Sequence, residues 1–314
     1  MAMTLREFLE GWVEDAPETR LTGISLDNRN IESGEAFVAV QGQIGHGLDY
    51  ARAAVAAGAV AVIHDGLHAV PQLDVPAVEV TGLGDKLGEL ASRFYAAPSE
   101  QMTIAGVTGT NGKTSVAHFL AQSWQRVYGN AGMVGTLGHG PAGKLQLGAR
   151  TTPDALRLQQ VLAGCAKADI ERLAMEVSSH ALQQHRCQTV QFDAAVFTNL
   201  SRDHLDYHAD MAEYAAAKRL LFTDYAPSFA IINHDDRYGR KWFGELNGGM
   251  QMLSFGLKEG AELRAEVRAM DINGMTIRIN GPWGAEDVHT CLLGEFNASN
   301  LLATAGTLAL LGMP

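Results

Sequence analysis

The apolar run Met102–Val107, the turn Thr108-Gly109-Thr110-Asn111-Gly112 and a helix-forming stretch from Lys113 to about Tyr128 follow one another without a break. A strand that passes through a glycine-rich turn straight into a helix is the opening unit of a parallel sheet with crossover helices. Glycines let the backbone turn sharply and aim successive N–H groups at one point, to which the helix start adds about half a positive charge and Lys113 a full one. Such a point suits phosphate: the lysine reaches the β and γ phosphates, and the Thr114 hydroxyl serves a Mg2+ ion. The strict pattern places a glycine five residues before Gly112, where this chain has Val107, with Gly106 one step further back. The loop is therefore a variant. A glycine-rich turn without a ligand would need no Lys-Thr pair at its helix start.

Strand-length apolar runs alternate with helical periods through most of the chain, so the fold class is α/β. In the first hundred residues Ala36–Val40, Ala59–Ile63 and Val75–Val80 read as strands. Tyr50–Ala57 and Asp85–Tyr95 read as helices, the first stopped by Gly58. Pro98-Ser99 marks a boundary, which predicts a first α/β domain over 1–98 and a second over 99–314. In the second, Leu173–Val177, Ala194–Asn199, Phe229–Asn233 and Met252–Phe255 join Met102–Val107 in a doubly wound sheet. Within Leu263–Ile279 the pair Asn273-Gly274 is a two-residue hairpin signal, predicting a small antiparallel excursion. A last helix begins near Asn297 and runs out at the end of the chain.

With 46% hydrophobic and 19% charged residues over 314 positions, the chain has material for two packed cores, and disorder is excluded as its default. A formal net charge of −11 argues against nucleic acid or anionic membrane as a partner, so a phosphate ligand must be held locally. Cys165, Cys187 and Cys291 show no metal-ligand spacing and read as buried free thiols of a reducing compartment. The N-terminus has no leader pattern, and no apolar run reaches bilayer length. A cytoplasmic monomer is the expectation.

Glu176, in Met175-Glu176-Val177-Ser178-Ser179-His180, sits at the end of an apolar strand, and ligands of doubly wound sheets gather at that edge. It is placed to hold a nucleotide-bound cation, whereas His180 reads as structural. In Asn199-Leu200-Ser201-Arg202-Asp203-His204, Ser201 or Asp203 is placed to cap a following helix. His204 is either a packing residue at that helix start or a second-cation ligand. Tyr214 and Lys218, four apart, share a helix face. By composition alone Lys218 is a surface lysine.

Taken together, the TGTNGKT loop, the MEVSSH strand end, the NLSRDHLD turn and the YAAAK segment resemble the Mur ligases, in that order and over essentially the whole chain. Two further stretches, Leu26-Asp27-Asn28-Arg29 and Thr151-Thr152-Pro153, resemble the family member that adds the third residue to the peptidoglycan stem peptide. The resemblance implies a uridine-binding domain over 1–98 and a central ATP-binding domain over 99–314, with the family's C-terminal amino-acid-binding domain absent. It implies ATP held by Gly109, Thr110, Asn111, Gly112, Lys113, Thr114 and Ser115, with Asn297 and Asn300 of the FNASN stretch near the adenine. Mg2+ would be bound by Thr114, Glu176, His204 and a carbamylated Lys218; Lys113, Glu176, His204 and Lys218 would form the catalytic set. Leu26, Asn28, Thr151, Thr152, Ser178, Gln184 and Arg186 would contact UDP-MurNAc-L-Ala-D-Glu. Asn28 stands where the family's uridine element usually has serine, and Arg150 precedes the TT pair where some relatives carry asparagine.

The reaction so implied is ATP-dependent amide formation through an acyl phosphate, joining a diamino acid, with meso-diaminopimelate favoured and L-lysine left open. This segment alone would not ligate. The rival readings are folylpolyglutamate synthase, the siblings MurC, MurD and MurF, and a small-molecule kinase. The kinase explains the phosphate loop and Glu176 but leaves Leu26 to Arg29 and the FNASN stretch without a role.

Overall fold

A computed structural model describes residues 3–42, 45–204, 206–246 and 249–313. They divide into two compact units: Met1–Pro98 with Asp154–Ala163 and His185–Thr189, and Ser99–Pro153 with Gly164–Gln184 and Val190–Pro314. A boundary at Pro98 alone therefore misses two segments that lie beyond it in sequence yet pack with the first unit.

The first unit opens with a short pair, β1 (Met3–Thr4) and β2 (Arg20–Leu21), on either side of α1 (Leu5–Leu9), whose N-cap Thr4 and Glu7 form a capping box. Its sheet is wholly parallel, in the order β3 (Gly23–Ser25), β4 (Glu35–Ala39), β5 (Ala61–His64), β6 (Ala77–Glu79). Parallel strands are covered on both faces, and every residue of β4 and β5 is buried. Helices α2 (Ala51–Ala57) and α3 (Leu83–Phe94) supply part of that cover. Leu83, Leu90 and Phe94 of α3 join Leu5, Phe8, Ile24 and Ile63 in one core, and each such large side chain contributes about 1.5–3 kcal/mol by leaving water.

The second unit carries a ten-stranded sheet. In chain order its elements are β7 (Thr103–Thr108), α4 (Lys113–Tyr128), β8 (Ala131–Gly135), β9 (Gly138–Pro141), α5 (Ala155–Lys167, whose first part belongs to the first unit), β10 (Arg172–Glu176) and α6 (Ser179–Gln183). There follow β11 (Ala194–Phe197), α7 (Met211–Thr223), β12 (Phe229–Asn233), α8 (Arg237–Glu245), β13 (Gln251–Gly256), β14 (Leu263–Asp271), β15 (Gly274–Gly281), β16 (Gly284–Thr290) and α9 (Glu295–Leu310). The strand order is β16-β15-β14-β13-β12-β11-β7-β10-β8-β9. Every pairing from β14 to β8 is parallel, while β9 at one edge and β15–β16 at the other are antiparallel. The chain leaves β7, builds β8 and β10 on one side and then crosses to β11 on the other. The strand order thus reverses around β7, where a doubly wound sheet opens its crevice. Val116, Leu120 and Trp124 of α4 and Leu302 of α9 share a core with Val107 and Val196.

Several local expectations need correction. Ser201 and Asp203 cap no helix: α7 opens at Met211, and its N-cap is Asp210, which accepts from the amides of Ala212 and Glu213. The hairpin turns one residue earlier than Asn273-Gly274, since Asp271 pairs with Gly274 and leaves Ile272 and Asn273 as the loop. Gly274 must be glycine, because a Cβ there would overlap the Thr290 carbonyl oxygen, and its φ is +136°. Gly106 lies mid-strand, where a Cβ would overlap the Phe192 ring; it serves packing, and Val107 is core. Cys165 and Cys187 are buried free thiols, pushed up by burial to about 11 and about 12, but Cys291 is exposed. Among the described residues no helix is long and apolar enough to cross a membrane.

Candidate functional site

At the C-terminal edge of the larger sheet, β7 ends in the loop 109–112 and α4 begins. The α4 N-cap, Gly112, provides no side-chain cap. A helix start leaves its first amides without intrahelical partners, so those of α4 face outward as an anion site. The loop is fastened from β11: Asn199 accepts from the amides of Thr110 (2.8 Å, through its carbonyl) and Asn111 (3.0 Å, through Oδ1), and Thr198 Oγ1 donates to the Asn111 carbonyl at 2.6 Å. Gly109 has φ +150°, and a Cβ there would overlap Thr198 Oγ1, so only glycine lets the loop lie this close to β11.

Two lysines converge on one carbonyl. Lys113 Nζ donates to Gly109 O at 2.8 Å and Thr110 O at 3.0 Å, and Lys218 Nζ donates to the same Gly109 O at 2.9 Å. Lys218 is only 1% exposed and lies 4.4 Å above the Tyr214 ring. The surface reading of this lysine is thereby overturned. It rides on a face of α7 that also buries Tyr214, Ala217, Leu221 and Phe222. Burial, and then the charge of Lys113, drive the Lys218 amine well below the usual lysine range, although Asp203 pulls the other way. Burial also lowers Lys113, opposed by Glu176 and Asp203.

Glu176 closes the arrangement. Its side chain is fully buried at the end of β10, where Thr114 Oγ1 donates to Oε2 at 2.9 Å and the Thr136 amide to Oε1 at 2.8 Å. Gly135 leaves room for it, since a Cβ there would overlap Oε1. His204, with φ +53° and a side chain 44% exposed, stands 6.0 Å from the Tyr214 ring and 5.1 Å from that of His180. A left-handed backbone at a non-glycine residue costs of order 1–3 kcal/mol and persists where its surroundings impose it. Asn300, buried at the start of α9, lies against Gly112, and its Nδ2 is 3.5 Å from Asn297 Oδ1.

Residues 107–308 match the family model described as Mur ligase middle domain. The chain belongs to the Mur ligase family. Residues 20–95 match a second model, described as Mur ligase family, catalytic domain. The chain is 43% identical over 325 residues to the UDP-N-acetylmuramoyl-L-alanyl-D-glutamate--2,6-diaminopimelate ligase of Alkalilimnicola ehrlichii, covering 99% of this chain and 65% of that protein. To the ligase of the same name from Coxiella burnetii it is 40% identical, over 94% of this chain and 62% of the other. A solved structure of a ligase so named superposes with TM-score 0.82 at 30% identity, over 100% of this chain and 65% of that one. The MurF ligase of Thermotoga maritima in complex with ADP shares the fold at TM-score 0.66 and 18% identity, over 93% of this chain and 64% of that one. The chain thus spans less than two thirds of the length of the curated relatives it matches.

Apart from His204, described above, the residues expected from sequence in this Mur ligase segment fall into three groups. Gly109, Thr110, Asn111, Gly112, Lys113, Thr114, Ser115, Glu176, Lys218, Asn297 and Asn300 all belong to the loop or to elements touching it. Thr151 joins them through Thr136, the two hydroxyls being 3.0 Å apart. The second group serves structure. Thr152 is 1% exposed; its hydroxyl donates to the Glu176 carbonyl at 2.9 Å and accepts from the Ser178 amide at 3.1 Å. It therefore ties the strand end and is not free to meet a ligand. Ser178 caps α6 by accepting from the Ala181 amide. Gln184 is exposed, with its amide on the Tyr207 hydroxyl at 2.9 Å. The third group lies in the first unit. Leu26 packs partly on its core, and Asn28 begins a turn capped by Asp27, on which Arg29 sits as a fork at 2.9 and 2.7 Å. Arg186 belongs to this unit although Ser178 and Gln184 belong to the other.

Sequence reasoning missed Asn199, Thr136 and Asp203, which fasten the loop, position Glu176 and face both lysines. Asn199 and Asp203 lay inside a motif already quoted, but nothing in their spacing distinguishes them. It also missed the buried pair His46 Nε2 to Asp65 at 3.0 Å, which rivets the segment after β4 to the end of β5.

Two measurements bear on this account. Thr152→Val removes both of these hydroxyl bonds, leaves the part-buried Ser178 amide and the buried Glu176 carbonyl without this partner and should cost about 2 kcal/mol in urea unfolding; a change below about 0.5 kcal/mol would contradict the tie. In CO2-free buffer both lysines hold their protons less firmly when folded than at the ordinary value of 10.5. Over the window below pH 10.5 the unfolded chain therefore binds more protons, and stability rises as pH climbs through it. Lys218→Met should flatten that slope; an unchanged slope would mean that another group supplies it.

Proposed function

We propose that this chain is the UDP-sugar-binding and nucleotide-binding portion of an ATP-dependent ligase that joins a diamino acid, meso-diaminopimelate, to UDP-MurNAc-L-Ala-D-Glu in peptidoglycan synthesis. One observation carries the reading: an uncapped helix start, the buried Lys218, the half-buried Lys113 and a buried carboxylate meet around a single loop at the sheet edge where nucleotides bind. The names of the relatives and the LDNR stretch support the substrate assignment.

Among the described residues no three of His, Cys, Asp and Glu converge as a metal cage. The donors present suit another arrangement. Glu176 and the Thr114 hydroxyl are oxygen donors that would hold a Mg2+ ion. A second cation beside His204 would need one more anionic oxygen, and Lys218 would supply it as a carbamate. A buried amine relieved of its proton can attack CO2, forming an N–C bond and releasing a proton, after which its negative charge suits a cation where an ammonium would not. Bound there, a metal would offset phosphate charge. Lys113 and the α4 amides would hold the β and γ phosphates and stabilise charge as the terminal carboxylate of the sugar dipeptide attacks the γ phosphorus, the bond to the β–γ bridging oxygen breaks and ADP departs. The acyl phosphate so formed is attacked by the incoming amine, and phosphate leaves.

The net charge and the two buried thiols fit a cytoplasmic monomer that binds neither nucleic acid nor membrane. Calorimetry tests the assignment directly. UDP-MurNAc-L-Ala-D-Glu should bind at least about tenfold tighter than UDP-MurNAc-L-Ala, and ADP with Mg2+ should bind separately. Equal affinity for the two sugars, or preference for a folate, would overturn it.

A further inference from the structure

A second cleft, of about 450 Å3, lies within the larger unit between α4 and the β8–β9 hairpin. His118, Gln122 and Arg126 come from successive turns of α4 and share one face. Met133 of β8 and Ala142 and Leu145 beyond β9 form the facing wall. The volume falls in the range of small-molecule sites, roughly 300–1,000 Å3. Gln125 also lines it, but its amide is committed, donating to the Gly129 carbonyl at 3.0 Å and accepting from the Ala131 amide at 3.1 Å. The side chains of Arg126, His118 and Gln122 carry no hydrogen bond or ion pair among the described residues. No carboxylate lines the cleft. A carbon-walled space with a guanidinium, an imidazole and a carboxamide on one rim is complementary to an anion with an apolar body.

We propose that this cleft binds a small amphipathic carboxylate, and that its occupancy acts on the nucleotide edge through the two elements that wall it. The path is short. Helix α4 begins at Lys113 and Thr114, and Thr114 donates to Glu176; β8 ends at Gly135, and the next residue, Thr136, donates its amide to the same carboxylate. A ligand that changes the spacing of α4 and β8 moves two donors of one buried carboxylate relative to each other. The coupling half of the proposal rests on the nucleotide reading above, whereas the binding half does not.

The test uses the full chain with 13C-methyl-labelled methionine, and 4-phenylbutyrate as the probe. The Met133 methyl resonance should shift and saturate in the millimolar range, and the neutral isostere 4-phenylbutan-1-ol should bind at least about tenfold more weakly. Arg126→Glu and Gln122→Trp, both at exposed helix positions, should each weaken phenylbutyrate at least about tenfold, the first through charge and the second by covering the mouth. Saturating phenylbutyrate should change the ADP dissociation constant at least about threefold. A Met133 resonance that does not move, equal affinity for the alcohol, or a shift surviving both variants would overturn the binding site. Probe binding that leaves ADP affinity unchanged overturns the coupling. If the Met133 shift is intact but ADP does not bind at all, the nucleotide reading and the coupling fall together while the cleft assignment stands.

Discussion

Lys113→Ala in the full-length enzyme is expected to lower ATP-dependent ligation by on the order of 10^3-fold or more, while the unfolding free energy moves by less than about 1 kcal/mol. The asymmetry follows from what the side chain does in the folded protein. Its ammonium is half-buried and held by two loop carbonyls, so removing it gives up two hydrogen bonds but also a partly desolvated charge. Toward a triphosphate the same charge has no substitute, because the loop amides of Thr110 and Asn111 are already taken by Asn199. Phosphate release measured beside urea unfolding separates the two effects. Turnover within tenfold of wild type would remove Lys113 from the phosphate site.

The second large effect is expected at Lys218. Lys218→Ala should be nearly inactive and should regain part of its turnover in formate or acetate. Lys218→Met, which fills the same space with carbon, should be inactive and not recover. Rescue of the alanine variant alone requires both a hole and a missing carboxylate, which a merely structural lysine would not produce. Normal turnover of Lys218→Ala in bicarbonate-free buffer would disprove the carbamate.

Much of this was legible from the chain. Strands β7, β10, β11, β12 and β13 are buried along nearly their whole length, so their sequences are runs of apolar residues that no helix period imitates. The phosphate loop was legible because strand, glycines, lysine and helix are contiguous. What escaped is set by contacts distant in sequence. Thr152 looks like any polar turn residue until β10 is laid beside it, and Lys218 looks solvated until the Gly109 carbonyl is found above it. The strands β8 and β9 contain Gly132, Gly135, Gly138 and Gly140, a composition that argues against strands, yet at Gly132 and Gly135 neighbouring side chains leave no room for a Cβ. The return of Asp154–Ala163 and His185–Thr189 to the first unit has no local signature at all.

The carbonyl of Gly109, shared by two amines, has a bearing on the order of assembly. The positive charge of Lys113 helps strip the proton from Lys218, so the Lys218 amine is most nucleophilic while nothing neutralises its neighbour. An arriving triphosphate would cancel that charge and let the proton return. If Lys218 carries the proposed carbamate, carbon dioxide is then captured more readily before the nucleotide enters, and enzyme loaded in the reverse sequence should start slowly.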